Sequence, residues 1–266
     1  MRPSPLASSS PAAGRLLIGT SGFNYPHWRG LFYPPDLPPS QWLAFYARHF
    51  GAVELNVTFY RLPGESAFCR WAEVVPEGFR FVVKGSRYIT HIRRLRECAE
   101  AVELLLKRAA PLHSRLEAVL WQLPPRFAAD LKRLEAFLGV LRDVGEALGL
   151  RALRHAFEFR DDSWLKPPVG ELLALYGAAA VMADWPFGTR WLETATPWVY
   201  LRRHGPAPPY AGSYPDAVLA EDARRIRRWL AGERDVLCFF NNDVAGHALT
   251  DARRLRAMVM APEGSG

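Results

Sequence analysis

Only four of the 34 basic residues are lysines (Lys84, Lys107, Lys132, Lys166), and only three residues are cysteines (Cys69, Cys98, Cys238). The cysteines are far apart and form no CxxC. That spacing argues against a disulfide framework and a cysteine-held zinc site, and it suits a reducing cytosol, so a cytoplasmic protein is expected. No apolar run approaches the roughly 20 residues of a membrane span, so no membrane partner is expected. Neither GxGxxG nor GxxxxGK followed by Ser or Thr occurs, which removes the usual dinucleotide and P-loop signatures. The histidines at 27, 49, 91, 113, 155, 204 and 247 show no HxH, HExxH or other ligand pairing. Neither a metal nor a cofactor is expected.

What is present is globular: 266 residues, 49% apolar, 23% charged and 12% aromatic. The length fits two average domains or one large α/β barrel. Residues 1–14 read as a disordered leader rich in Pro, Ser and Ala, and 262–266 as a loose tail. No linker interrupts 15–261, which reads as one domain. The net charge of +7 is an arginine excess. It suits an anionic partner, although a GC-rich genome would also enrich arginine.

Strand-like runs fall at 16–21, 53–60, 79–84, 118–123, 154–160, 179–184, 198–204 and 236–241. Helical patterns lie between most of them, at 41–50, 65–75, 95–109, 130–148, 168–176 and 217–230, with a last one at 249–260. The segment 185–197, where a sixth helix belongs, is irregular. Strands alternating with helices imply parallel pairing, and eight repeats imply a single closed (β/α)8 barrel of TIM type. An open doubly wound sheet is the alternative.

Side chains alternate across a strand. In a barrel the apolar parity packs on helices, so the polar parity faces inward. That places Glu54, Asn56 and Tyr60 from the second run inside, with Lys84, Gln122, Glu158, Arg160, Asp184, Arg202 and His204 from later ones. Barrel interiors usually hold branched aliphatics, and an unpaired interior charge costs several kcal/mol. Such groups persist when paired or when they line a site. Lys84, Gln122, Arg160, Asp184 and His204 come last on their runs, at the end where barrel enzymes place their chemistry. Glu54 is deepest and suits a structural role. The competing reading is an ionic plug, with Glu54 and Glu158 neutralised by Lys84 and Arg160.

Four roles follow from residue type. Glu158, His204, Asp184 and Lys84 are the candidates to move a proton, Lys84 provided burial strips its own. Lys84, Arg160 and Arg202 suit an anion. Asn241 and Asn242 follow the eighth strand, where barrels often bind phosphate, or else they cap the next helix. Ser21 and Trp28 follow the first strand. Trp28, Trp164 and Tyr60 belong to a set of loop aromatics, with Phe23, Tyr25, Tyr33, Tyr88 and Tyr210, that either ring the mouth or pack its loops. Asn56, Tyr60 and Gln122 complete the expected substrate contacts.

The runs GTSGFNYPHWRGLFYP (19–34), VELNVTFYRLP (53–63), FRFVVKGSRYITH (79–91), LWQLPP (120–125), EFRDDSW (158–164), VYLRRHG (199–205) and CFFNNDVAGHA (238–248) follow in order. Together they resemble the domain-of-unknown-function family 72, the YecE-like proteins. The resemblance implies a TIM-type barrel, similar in fold to the enzymes that include endonuclease IV and xylose isomerase, and no defined reaction. The family often carries a histidine after the arginine of its E-x-R motif, and this chain has Asp161. The histidine-rich metal cluster of endonuclease IV has no counterpart here.

The expected function is a metal-independent enzyme (hydrolase, lyase or isomerase) acting on a small anionic ligand, a phosphorylated sugar or nucleotide-like molecule. A nucleic-acid-binding barrel or phosphodiesterase is the alternative, and a non-catalytic binding protein is the third reading. The sequence sets no oligomeric state.

Overall fold

In a computed structural model that describes residues 14–184, 191–207 and 210–261, eight parallel strands close into one barrel in chain order. The strands are β1 (Leu16–Ser21), β2 (Ala52–Leu55), β3 (Arg80–Lys84), β4 (Leu116–Gln122), β5 (Arg154–Glu158), β6 (Ala179–Ala183), β7 (Trp198–Arg203) and β8 (Asp235–Phe240). The helices are α1 (Trp42–Tyr46), α2 (Val57–Tyr60), α3 (Glu65–Glu73), α4 (Ala99–Ala109), α5 (Leu131–Ala147), α6 (Pro167–Leu175), α7 (Asp216–Ala231) and α8 (His247–Met260). This is the expected (β/α)8 barrel. The expected leader, apart from Gly14, and the tail lie outside the described residues, as does 185–190. Residues 191–197 carry no helix.

Each amphipathic helix buries one stripe. On α5 the stripe is Leu134, Phe137, Leu138 and Leu141, and the helix starts where the Asp130 carboxylate accepts from the Arg133 amide at 3.0 Å. It stops at Gly149, whose φ of +70° is the left-handed turn that glycine adopts without penalty. The outward parity of the strands, Val53, Phe81, Val83, Phe157, Val199 and Leu201, packs with these stripes in one large core. The inward parity forms a second core. Alanines at 52, 118, 156, 179 and 183 leave room there that Trp198, Tyr200 and Phe239 fill. The inner cluster is completed by Leu17, Val82, Leu120, Val181 and Leu237.

The run 53–60 is not one strand. β2 ends at Leu55, Asn56 turns into the helical region, and 57–60 forms the short α2. The Thr58 hydroxyl donates to the Lys84 carbonyl at 2.6 Å and so caps the neighbouring strand. A side chain that bonds backbone in this way competes with the ladder. The alternation therefore ends at Leu55, and Asn56 and Tyr60 reach their positions as turn and helix residues. The helix expected from 95 starts only at Ala99, because Arg94, Leu95 and Glu97 all adopt positive φ.

The barrel floor is closed by charge. Glu117 of β4 receives Arg15 at 2.6 Å and Arg154 of β5 at 2.9 Å, and Asp235 of β8 receives Arg154 at 2.6 Å.

Candidate active site at the barrel mouth

Arg202 of β7 is fully buried between two carboxylates. Its guanidinium reaches Glu54 of β2 at 2.6 Å and Glu158 of β5 at 2.5 Å, with Ser21 Oγ at 3.3 Å. The Tyr200 hydroxyl donates to the other Glu54 oxygen at 2.5 Å. Arg160 pairs with Glu158 as well. His204 Nε2 lies 3.1 Å from Glu158, and Asn241 Nδ2 lies 3.1 Å from His204 Nδ1. The Arg160 guanidinium lies 3.2 Å from the same Nε2, so that nitrogen sits between a cation and a carboxylate. An ionic plug exists, but its central cation is Arg202. Lys84, the neutraliser expected beside Arg160, makes no ion pair among the described residues.

Lys84 ends β3 only 8% exposed, with its Nζ 4.4 Å from the centroid of the Phe59 ring. It forms part of the wall of a cleft of about 810 Å³. Asn56, Tyr60, Tyr210 and Asn241 line it with Lys84, as do Leu43, Val57 and Trp71. The Asn56 amide nitrogen donates to the Ser21 carbonyl at 3.2 Å, and its buried Oδ1 has no hydrogen-bond partner among the described residues. The charged network of Glu54, Glu158, Arg160, Arg202 and His204 is buried behind this wall and takes no part in it.

Several expected contacts lie elsewhere. Asp184 follows Ala183, whose parity is inward, so Asp184 points to the outer face of the sheet. There it accepts from the His204 backbone amide at 2.8 Å and from the Tyr214 hydroxyl, beside the buried pair of Arg203 and Asp222. Trp28 is fully buried and donates to the Asp243 carbonyl at 2.9 Å. Trp164 is fully buried, stacks on Phe159 at 4.9 Å and donates to the Phe127 carbonyl. Tyr33 stacks on Trp42. Asn242 is fully buried and binds the Gly212 carbonyl and Asp251. Trp28, Tyr33, Trp164 and Asn242 thus pack and tie loops together. Gln122 is half-buried beside Glu158, Ser21 is covered by Arg202, and Tyr60 stands 81% exposed on the cleft rim. Asp161, where the family often has histidine, caps the turn at Asp162–Trp164 by accepting from the Ser163 amide.

Residues 17–265 match the family described as "Protein of unknown function DUF72". The chain belongs to this family. It is 35% identical over 127 residues to the UPF0759 protein YecE of Escherichia coli, a match covering 47% of this chain and 44% of that protein. It is 30% identical over 147 residues to the UPF0759 protein YunF of Bacillus subtilis, covering 52% and 49%. The chain thus spans about half the length of the curated relatives it matches. A DUF72 family protein from Thermotoga maritima shares the fold with a TM-score of 0.77 and 29% identity, over 93% of this chain and 100% of that one. A second, from Enterococcus faecalis, has a TM-score of 0.77 at 21% identity, over 93% and 96%.

Burial dominates the titration of the DUF72 mouth. It pushes Lys84 down to about 7, helped by Arg202 and opposed by Glu54 and Glu158. It lowers His204 to about 4 against the pull of Glu158. For Glu158 burial acts upward, yet Arg160 and Arg202 outweigh it and hold the carboxyl well below its usual range. His204 is therefore neutral at pH 7, with both ring nitrogens occupied, and it orients the plug. His91, which sequence reasoning passed over, sits near the same cations. Burial lowers it to about 4, with Arg87, Lys84, Arg160 and Arg94 adding to the effect. It lies in the five-residue helical turn Tyr88–Ile92, too short to show a periodicity. Tyr200 was also passed over, although it shares its parity with Arg202. Among the described residues, no three His, Cys, Asp or Glu side chains converge to hold a metal ion, and no helix is long and apolar enough to cross a membrane.

Proposed function

We propose that this DUF72 chain is an enzyme that works without a resident metal on a small anionic substrate, of phosphorylated-sugar or nucleotide-like class, bound at the C-terminal mouth of the barrel. One observation carries the reading: Lys84 is a nearly buried amine with no carboxylate partner among the described residues, set in the wall of an open cleft. A purely structural lysine would be expected to pair with Glu54 or Glu158, and both of those are taken by arginine. Lys84 meets the anion or accepts a proton. The buried guanidiniums add positive field from behind, and Asn56 and Asn241 orient the ligand. Glu158 and His204 fix the plug against which Lys84 is set. With Glu54 and Glu158 committed to arginine, the site has few ligands left for a cation.

A thermal-shift screen tests this with inorganic phosphate, sugar phosphates and nucleotides. A ligand at a hundred times its Kd stabilises by about 2.7 kcal/mol, which in a chain of this size raises Tm by roughly 5–10 °C. Wild type should shift, and Lys84→Met should keep its fold and lose the shift. A flat response of wild type to every anion refutes the proposal. A second reading, binding of single-stranded nucleic acid, draws on exposed Arg87, Tyr88, Arg94 and Tyr60 along the rim. It requires affinity that falls steeply with salt.

A further inference from the structure

Four lysines are present, and three of them, Lys107, Lys132 and Lys166, are exposed on the outer surface. Lys84 differs from these in three ways that bear on reactivity. Its stem is fixed at a strand end, where Thr58 holds the Lys84 carbonyl. Its amine lies over an aromatic ring, and no carboxylate among the described residues pairs with it. It also opens onto a cleft large enough for a ligand of several times the size of phosphate, since pockets of roughly 300–1,000 Å³ hold drug-sized molecules.

The groups facing it come from several strands: Glu54 of β2, Glu158 and Arg160 at the end of β5, Arg202 of β7, and His91 beyond β3. Both carboxylates are bound to guanidiniums, so the immediate surroundings favour a neutral amine. Burial brings Lys84 to about 7, against an ordinary value above 10. A neutral, positioned amine beside cations is the arrangement that makes lysine a nucleophile toward carbonyl carbon.

We propose that Lys84 condenses with the aldehyde or ketone of a substrate that also carries a carboxylate or phosphate, forming an imine at the barrel mouth. The inference rests on the reading of the mouth as an anion site and names what the lysine does there. The Nζ lone pair adds to the carbonyl carbon, and the carbonyl electron pair moves to oxygen, which takes a proton. The nitrogen gives up one proton. The resulting carbinolamine loses its hydroxyl with a proton as water, and the C=N bond forms. Amine plus carbonyl gives imine plus water, with no oxidant or reductant. Tyr210, on the same cleft wall, is kept protonated by burial and can supply a proton to the leaving hydroxyl. A protonated imine draws electrons from a neighbouring C–H or C–C bond, so the site is directed toward lyase or isomerase chemistry and away from hydrolysis.

The test is reductive trapping on the whole protein. At pH 7.5 it is incubated separately with pyruvate and with pyridoxal 5′-phosphate, reduced with sodium borohydride, and mapped by peptide mass spectrometry. An ordinary lysine is about 0.1% neutral at that pH and Lys84 mostly neutral, so Lys84 should be labelled several hundred-fold faster than Lys107, Lys132 or Lys166. The N-terminal amine, with an ordinary pKa near 8, reacts in all samples and serves as the internal control. Lys84→Met and Lys84→Arg should lose the adduct while the N-terminal one persists. Labelling of Lys84 no faster than of the exposed lysines, with both probes, overturns the inference. If phosphate still raises Tm in that case, the anion-site reading stands without the imine. An adduct at Lys84 in a protein that no anion stabilises supports the imine and refutes the anion site.

Discussion

Arg202→Met removes the cation that bridges Glu54 and Glu158 across the barrel interior. Glu158 keeps Arg160, so the loss falls on Glu54, whose remaining partner among the described residues is the Tyr200 hydroxyl. Glu54 is fully buried. Breaking a buried pair from one side typically costs 3–5 kcal/mol, because the remaining charge is left in a poorly solvating interior. For a chain of this length that corresponds to a fall in Tm of roughly 6–20 °C. The clean measurement is a double-mutant cycle by urea unfolding at pH 7, using Arg202→Met, Glu54→Gln and the double variant. Neutralising Glu54 in the Arg202→Met background should recover about 2 kcal/mol, since the two groups share one contact. A single-variant loss below about 1 kcal/mol, or strict additivity across the cycle, would refute the account of Arg202 as the keystone of the interior.

Lys84 gives a pH prediction of definite sign. Its folded value, about 7, lies below the unfolded one, so between about 7 and 10.5 the unfolded chain holds more protons and stability rises with pH. Comparing wild type with Lys84→Met from pH 6.5 to 9.5, the wild type should gain on the order of 3 kcal/mol relative to the variant, and a constant gap refutes the depressed value. At Gly85, a Cβ would lie 2.3 Å from the Trp121 ring. That ring is held by a bond from its Nε1 to His155 and by edge contact with Phe137. Gly85→Ala should therefore cost about 1–3 kcal/mol by urea unfolding, and a change under 0.5 kcal/mol would show that the ring yields.

The barrel was legible because its signal is repeated: eight apolar runs, each followed by a turn, permit few other architectures. Parity was legible wherever one face is polar, and it placed Glu54, Lys84, Glu158 and Arg202 inside. It fails at β6, where the sequence AAVMAD has no polar residue before its end to mark the inner face, so the inward expectation for Asp184 does not hold. In the structure Met182 belongs to the outer core and Val181 to the inner. The run VELNVTFY is β-branched and aromatic and reads as a strand throughout. Its second half is a helix, in which the Thr58 hydroxyl bonds the Leu55 carbonyl and the Lys84 carbonyl of the next strand, 26 residues away in sequence. The pairing of the charges lies beyond any one-dimensional pattern. Whether Lys84 or Arg202 neutralises Glu54 depends on side-chain reach across the lumen, and the longer, forked guanidinium bridges both carboxylates at once. Trp28, Trp164 and Asn242 sit in loops, where no periodicity separates a ligand contact from a packing one.

The floor of charges also constrains how the molecule is made. The Arg15 guanidinium meets Asp235 at 3.3 Å, and the Arg15 backbone amide donates to it at 2.7 Å, across a separation of 220 residues, beside the seam where β1 joins β8. A ribosome delivers β1 early and β8 last, so a growing chain holds a sheet with two raw edges for most of its synthesis. Glu117 and Arg154 can meet as soon as β5 emerges, but Asp235 is not yet there to complete the set. Sealing the cylinder is a single late event that joins the two ends of the fold, and slow closure is the point at which such a chain is most exposed to its neighbours.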